Sequence, residues 1–76
     1  MATAVSLKNM AEKWPSELVS RESVGQFTGG VLSPKSMANM DSLGEGPESI
    51  RIGRKIAYRV DVLISWLESR STTGRD

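Results

Sequence analysis

The strongest constraint on the fold is the stretch of residues 32–46, which carries the start and stop signals of one short helix. Ser33 has the hydroxyl of a helix N-cap, and Pro34 follows at the first helical position, where proline's fixed φ is favourable and its missing N–H costs nothing. Gly44 comes directly after the last apolar residue, where a left-handed helix end is expected. The sequence therefore predicts a helix over residues 34–43.

This predicted helix has two different faces. At 100° per residue, an apolar face, which we expect to pack on a core, lies opposite a polar face. The apolar face consists of Met37, Met40 and Leu43, and the polar face consists of Lys35, Asn39 and Ser42. Lysine, asparagine and serine side chains are able to read base edges and phosphates. A polar face that is only solvated is the more common case, and this helix alone does not separate the two.

The composition limits both the fold and the chemistry. The chain has 76 residues, of which 38% are apolar, so we expect one small domain. It contains no Cys and no His, which excludes disulfides, thiolate chemistry, imidazole bases and ordinary zinc sites. Because it also lacks a phosphate-binding loop and a nucleophile–base pair, we expect neither an enzyme nor a bound cofactor. No apolar run suits a membrane span or a signal peptide, so we expect a cytoplasmic protein without a membrane partner.

Positive charge is concentrated in residues 49–59, although the net charge of the whole chain is only +1. We call these residues the basic block. It contains no acid, and its four cations are Arg51, Arg54, Lys55 and Arg59. A block of this kind binds polyanions best when a rigid support holds it. It is the most informative charge feature of the chain.

The first residues of the chain are ambiguous. Residues 1–17 form an arm that is either a frayed tail or a short helix capped by Ser6. The helical alternative has an apolar stripe of Leu7, Met10, Ala11 and Trp14. Both alternatives stay open, because an isolated helix of this length is marginal in water.

A second short helix is predicted before residue 32. Ser20 is a good N-cap for a helix over residues 21–28, with Val24 and Phe27 facing inward. Two glycines then end this helix and turn the chain towards the next one. Two short helices joined by a glycine turn are a helix-turn-helix pattern.

In the basic block the spacing of apolar residues changes to two, which is typical of strands. The alternating apolar residues are Ile50, Ile52, Ile56 and Tyr58. A three-residue loop over residues 53–55 pairs isoleucine with isoleucine across a hairpin, whereas a two-residue loop places Ile52 opposite Lys55. We therefore predict the three-residue loop, an apolar inner face, and Arg51 and Arg59 together on a basic outer face. A hairpin of this kind is a wing.

A last helix begins at Asp61, whose charge favours the N-terminal end of the helix dipole. An apolar stripe at i, i+3 and i+4 consists of Leu63, Trp66 and Leu67. We expect this stripe to close the core over the hairpin, with Trp66 as a core anchor. Residues 71–76 are predicted to be a disordered tail. The fold class is therefore α+β: a small winged helix-turn-helix domain over residues 18–70, with a two-stranded wing hairpin and a C-terminal helix.

Four segments of the chain match the pattern of a known family. They are SRESVGQFTG, LSPKSMANMDSLGEGP, IRIGRKIAYR and DVLISWLESR, which together cover roughly Leu18 to Arg70. The order of these segments resembles the excisionase and AlpA-type regulator family, winged-helix proteins of the MerR-like DNA-binding superfamily. The most specific match is SIRIGRKIAYRVDVLISWL, with its Ile-Gly-Arg-Lys turn before Tyr-Arg-x-Asp-x-Leu-x-x-Trp-Leu. The chain departs from the family at Val60, where members often have a small polar helix cap.

The resemblance implies which residues contact DNA. In this family the second helix enters the major groove, and the wing tip contacts the neighbouring minor groove or the backbone. Lys35, Ser36 and Asn39 then become groove-facing residues and Arg54 becomes the wing-tip residue. The full set of candidate DNA-binding residues is Ser33, Lys35, Ser36, Asn39 and Ser42 on the helix, and Arg51, Arg54, Lys55 and Arg59 on the wing.

The resemblance also implies a function: a sequence-specific DNA-binding excisionase, or recombination directionality factor. Such a protein bends DNA and assists an integrase in excising a phage or mobile element. The expected partners are double-stranded DNA, an integrase and further copies of the chain bound cooperatively, and the expected location is the nucleoid. One alternative is a small AlpA-type transcriptional regulator with the same surface; another is a winged-helix protein-interaction module. The acid-free basic block favours DNA, because an interaction module has no reason to exclude acids there.

Overall fold

The computed structural model describes Leu7 and residues 9–71. Its elements are, in chain order, α1 (Asn9–Lys13), β1 (Leu18–Ser20), a 3₁₀ turn (Arg21–Ser23), α2 (Val24–Phe27), α3 (Pro34–Ser42), β2 (Ile50–Ile52), β3 (Lys55–Arg59) and α4 (Val60–Ser69). Over this part the chain is α+β, with four α-helices and one three-stranded antiparallel sheet. None of these helices has the length and apolar character needed to cross a membrane. The predicted cap at Ser6 and the predicted tail beyond Ser71 lie outside the described residues.

Helix α3 begins and ends where its start and stop signals predict. Ser33 caps its N-terminus. Gly44 has a φ of +74°, the left-handed conformation, and the N–H groups of residues 44 and 45 bond to carbonyls of the last turn, which is a Schellman motif. Met37 is fully buried as predicted, but Leu43 is 70% exposed, so its place on the apolar face is wrong. The reason is that Leu43 is the C-cap, where the chain turns away from the core.

The helix predicted over residues 21–28 is divided in two. Arg21–Ser23 form a 3₁₀ turn, and only Val24–Phe27 are α-helical. A glycine in so short a segment lowers its helix stability by about 1 kcal/mol relative to alanine. Ser20 has the extended backbone of a cap, but its side chain makes no capping hydrogen bond. The first and last residues of α2 are buried, as predicted.

The sheet contains a strand that the sequence did not reveal. Its order is β1-β3-β2, so β1 adds a third strand to the β2–β3 hairpin, and the prediction of a two-stranded sheet is wrong. With only three residues, β1 is too short to show a period of two. Its central residue, Val19, pairs with Tyr58, and both are fully buried.

The register of the hairpin differs from the predicted one. Ile52 pairs with Lys55, so the loop consists of Gly53 and Arg54, and the predicted three-residue loop is wrong. Gly53 has a φ of +61°, as required at the first position of a type II′ turn. Such a turn matches the right-handed twist of the strands, and this local preference outweighs the pairing of isoleucines across the hairpin. As a result Ile52 is 53% exposed.

This register also separates two arginines that were predicted to share one face. Residues directly opposite each other point to the same side of a sheet. Arg51 pairs with Ile56, so it lies on the side of the hairpin that carries the buried Tyr58. Arg59 lies on the other side, together with Lys55. The prediction of a wholly apolar inner face and a basic outer face is therefore wrong.

One core lies between the sheet and the helices. Its buried apolar side chains are Val19, Val24, Phe27, Leu32, Met37, Tyr58, Val60, Leu63 and Ile64. Tyr58 is the largest of the fully buried side chains. Trp66, the predicted core anchor, is only half-buried at the rim, where its indole N–H donates to the Glu45 carbonyl at 3.0 Å. An indole N–H needs a partner when it leaves water, which favours the rim over the centre.

Of the two alternatives for the N-terminal arm, the structure has the short helix. The side chains that pack against the core there are those of Leu7, Met10 and Trp14. Ala11, which was placed on the same stripe, is exposed. The Trp14 and Phe27 rings meet edge to face with 5.2 Å between their centroids. The Trp14 indole N–H also donates to the Leu18 carbonyl at 2.9 Å, which ties the arm to β1.

Helix α4 begins at Val60, one residue before the predicted start at Asp61. Arg59 holds the N-cap position without a capping side-chain bond. The Val60 side chain is buried, and its N–H donates to the Glu17 carbonyl at 2.9 Å. An apolar residue stands at this position because it belongs to the core.

Two side chains from different elements, Arg21 and Tyr58, meet at the Asp41 carboxylate of α3. The Arg21 guanidinium forms an ion pair with the Asp41 carboxylate, and its Nε donates to the Tyr58 hydroxyl oxygen at 3.1 Å. The Tyr58 hydroxyl in turn donates to Oδ2 of Asp41 at 2.8 Å. We call these three residues the Asp41 network. It joins α3 to both the 3₁₀ turn and β3.

The Asp41 network also includes two groups whose pKa values are raised, Tyr58 and Arg21. Burial raises the pKa of the Tyr58 hydroxyl; the Arg21 guanidinium opposes this rise and the Asp41 carboxylate adds to it. The hydrogen bond to Tyr58 and the charge of Asp41 raise the pKa of Arg21 in spite of its partial burial. At neutral pH Tyr58 is therefore a neutral donor and Arg21 a cation, which are the states that the hydrogen bonds require.

Gly46 lies against the Asp41 carboxylate, and a Cβ at position 46 would collide with that carboxylate. We expect Gly46→Ala to lower the free energy of unfolding by about 1–3 kcal/mol, because the methyl group must displace Asp41 from its partners. Urea unfolding measures this change.

The control for this prediction is a double-mutant cycle with Asp41→Ala. Once the carboxylate is removed, the alanine at position 46 has space, so Gly46→Ala should cost much less in that background. Equal costs in the two backgrounds would show that the Asp41 carboxylate is not what position 46 must avoid.

Candidate nucleic-acid interface

The polar face of α3 is open to solvent. The exposed candidate residues on it are Ser33, Lys35, Asn39 and Ser42, and Ser36 is half-buried. This face carries one cation, and the one acid of the helix, Asp41, is held by Arg21 and Tyr58. The face is therefore free of unpaired negative charge, which is what close approach to phosphates requires.

Two of the five candidate residues on α3 have hydroxyls that are already engaged in the helix cap. The Ser33 hydroxyl oxygen accepts from the Ser36 N–H at 3.1 Å. The Ser36 hydroxyl oxygen accepts from the Ser33 N–H at 3.1 Å and its proton goes to the Ser33 carbonyl at 3.0 Å. This reciprocal pair is a capping box, with serine in place of the usual Glu or Gln. The hydroxyls therefore have a structural role, and the residues of this face without such a role are Lys35, Asn39 and Ser42.

The four cations of the basic block are all exposed, but their surroundings differ. Arg54 lies in the two-residue loop at the end of the hairpin. Arg51 donates through Nε to the Gly53 carbonyl at 3.4 Å. Within residues 9–71, neither Arg51 nor Arg54 forms an ion pair. These two arginines are therefore the cations most available to an anion.

The other two cations of the basic block are paired with acids that lie outside it. Lys55 Nζ is 2.8 Å from Oε1 of Glu22 in the 3₁₀ turn. Arg59 Nε is 3.3 Å from Oδ1 of Asp61 in the first turn of α4. The sequence of the basic block contains no acid, but in the folded structure Glu22 and Asp61 lie beside it. Exposed ion pairs contribute at most about 1 kcal/mol and are screened by salt, so an incoming polyanion can compete for these cations.

The 3₁₀ turn holds α3 and the hairpin in a fixed relation. It packs against both α3 and β3, and its Arg21 belongs to the Asp41 network. Between this turn and the hairpin lies a cleft of about 140 Å³. The cleft is lined by Ser20, Arg21, Glu22, Arg54, Lys55 and Ile56. The structure thus brings the 3₁₀ turn next to the wing cations, which the sequence reasoning did not foresee.

Sequence reasoning missed two residues of this site, Arg21 and Glu22. No sequence motif marks this segment as part of a binding site. Glu22 and Lys55 are 33 positions apart, and the register that places Lys55 beside the 3₁₀ turn depends on β1, the strand that was not predicted. The only signal in the sequence was the acid itself, in a segment predicted to precede α3 in a helix-turn-helix pattern.

Comparison of the chain with protein-family models finds no match, and comparison with curated proteins finds none either. The candidate site therefore rests on the geometry and charge of the residues described above.

We expect Ser33→Ala to lower the free energy of unfolding by about 1 kcal/mol, because it removes the N-cap of α3. The matched variant is Ser42→Ala, which deletes the same atom near the other end of the same helix, where no cap depends on it. That change should stay within about 0.5 kcal/mol of the wild type. Thermal and urea unfolding of both variants test this assignment, and equal effects would contradict a capping role for Ser33.

Proposed function

We propose that this chain is a sequence-specific DNA-binding protein of the winged helix-turn-helix type. In this proposal α3 is the recognition helix, the β2–β3 hairpin is the wing, and the protein acts by binding rather than by catalysis. The observation that carries the proposal is the position of Arg51 and Arg54, which form no ion pair within residues 9–71. They lie on a hairpin that the Asp41 network links to the helix that presents Lys35 and Asn39.

The chemistry of α3 suits the reading of a major groove. A helix about 10–12 Å in diameter fits a groove about 12 Å wide. Asn39 has both a donor and an acceptor, so it matches the N6 and N7 positions of adenine. Lys35, in the first turn, is placed for a guanine edge or a phosphate. The helix therefore supplies the sequence preference in this proposal.

The chemistry of the hairpin suits a phosphate backbone or a narrow minor groove. The positive φ of Gly53 gives a tight turn, so the exposed Arg54 stands at the end of the hairpin. Arginine binds phosphate through a planar fork of N–H groups. Such contacts release counterions and strengthen binding to all DNA sequences alike. The hairpin therefore supplies affinity and register.

For the biological role, we propose an excisionase that binds neighbouring sites as several copies, bends the DNA and assists an integrase. What supports this role is the resemblance of the matched segments to the excisionase and AlpA-type regulator family. A footprint across the attachment site of the mobile element, together with an excision reaction driven by its integrase, tests it. We expect protection of adjacent sites and excision that depends on the protein. Protection confined to a promoter, with excision unchanged, would favour the transcriptional regulator instead.

Asn39→Ala and Arg54→Ala should impair DNA binding in two different ways. Asn39→Ala removes a base contact, so it should reduce the preference for the cognate duplex by about 1–3 kcal/mol and leave binding to random duplex nearly unchanged. Arg54→Ala removes a phosphate contact, so it should weaken binding to both duplexes and make the slope of log affinity against log salt shallower by about 0.9. The measurement is a salt titration with a cognate duplex selected from a randomised library.

The control is Lys13→Ala on α1, which makes the same change in net charge as Arg54→Ala. Since α1 packs against α4, Lys13→Ala should leave the salt slope unchanged. Neither Asn39→Ala nor Arg54→Ala should shift the free energy of unfolding by more than about 0.5 kcal/mol, because both side chains are exposed. If the wild-type chain binds no duplex in a salt-dependent way, the DNA proposal is wrong and the protein-interaction module takes its place.

A further inference from the structure

The ion pair between Lys55 and Glu22 lies at the cleft between the 3₁₀ turn and the hairpin. Both residues line this cleft, together with Arg54. The two side chains are 65% and 70% exposed, so the pair is accessible to solvent. The Glu22 carboxylate has no other hydrogen bond within the described part of the chain. The pair is thus accessible, and Lys55 is the one described residue to which the Glu22 carboxylate is bonded.

The charges around the cleft would be suited to an anion if Glu22 did not hold Lys55. The charge of Arg21 is committed to Asp41, and that of Lys55 to Glu22. This leaves Arg54 as the unpaired cation of the lining. With Lys55 released, the cleft has two adjacent cations, and its volume of about 140 Å³ equals that of several water molecules at about 30 Å³ each. That is enough space for the oxygens of one phosphate group.

We propose that this cleft is a binding site for one backbone phosphate of double-stranded DNA, and that Glu22 competes with that phosphate for Lys55. This inference rests on the proposed function and deepens it. Because Glu22 already neutralises the charge of Lys55, a phosphate that displaces Glu22 adds less to DNA affinity in the wild-type chain than an unpaired Lys55 would supply. When phosphate contacts, which are the same for every DNA sequence, contribute less affinity, the base contacts of α3 account for a larger share of the total. The preference for the cognate site over other DNA then depends more on α3.

The second ion pair of the hairpin is built differently. The Asp61 carboxylate that holds Arg59 also accepts a hydrogen bond from the Val62 N–H at 2.9 Å. Asp61 therefore has a local role at the start of α4, whereas Glu22 interacts through its side chain with Lys55 alone among the described residues. Removing the charge of Glu22 should consequently change DNA binding without changing the fold.

The test compares Glu22→Gln with Glu12→Gln on a short mixed-sequence duplex, in salt titrations of the full chain. Both variants raise the net charge by one, and Glu12 lies exposed on α1. We expect Glu22→Gln to bind about three- to tenfold more tightly than the wild type near 100 mM salt, with a salt slope steeper by about 0.9. Glu12→Gln should stay within about twofold of the wild type, because Glu12 does not line the cleft and its removal releases no cation there.

A double-mutant cycle assigns the effect to Lys55. In a Lys55→Gln background the gain from Glu22→Gln should disappear, because the released cation is absent. The proposal is overturned if Glu22→Gln binds no more tightly than Glu12→Gln, or if the gain persists without Lys55. It is also overturned if Glu22→Gln weakens binding, since Glu22 would then position Lys55 for DNA. In all three cases the wild type still binds DNA; a wild type without salt-dependent binding instead removes the proposed function and this inference with it.

Discussion

The position of α3 depends on one carboxylate. Asp41 is held by the Arg21 guanidinium and the Tyr58 hydroxyl, which come from the 3₁₀ turn and from β3. A nine-residue helix is marginal in isolation, because its nucleation is costly. Burial of Met37 holds this helix against the core, and the carboxylate links it to the sheet. Since the Arg21 and Asp41 side chains stay 25% and 19% exposed, they avoid part of the desolvation cost of a fully buried ion pair.

The candidate site consists of two elements, α3 and the β2–β3 hairpin, whose exposed side chains differ in charge. The exposed face of α3 is polar and carries one cation, whereas the hairpin carries four exposed cations. Base edges are read by short-range hydrogen bonds, and phosphates attract cations at longer range. The proposed DNA binding would therefore need a rigid connection between the two elements, so that phosphate contacts of the hairpin set the register of base contacts by α3. The 3₁₀ turn, which packs on both, provides this connection.

The parts of the fold that the sequence predicted are those set by a few consecutive residues. The cap at Ser33 and the left-handed end at Gly44 depend only on their neighbours, and both are present. The hairpin register was wrong because two signals conflicted, and the turn preference of Gly53 outweighed the pairing of apolar residues. The contact between Lys55 and Glu22 was not predictable, since it depends on the three-residue strand β1. The two elements that carry the candidate residues, α3 and the hairpin, were thus predicted from the sequence, whereas the acid that pairs with Lys55 was not.

The short strands of the sheet affect how copies of the chain behave when they lie close together. Because β3 is central, the two edges of the sheet are β1 and β2, and each is only three residues long. An exposed edge invites pairing with the edge of another molecule, and short edges and charged side chains oppose it. Arg51 stands at the centre of β2 and repels the same arginine in a second copy. Neighbouring molecules therefore resist fusing their sheets, which is what the proposed binding of several copies to adjacent DNA sites would require if each copy is to dissociate by itself.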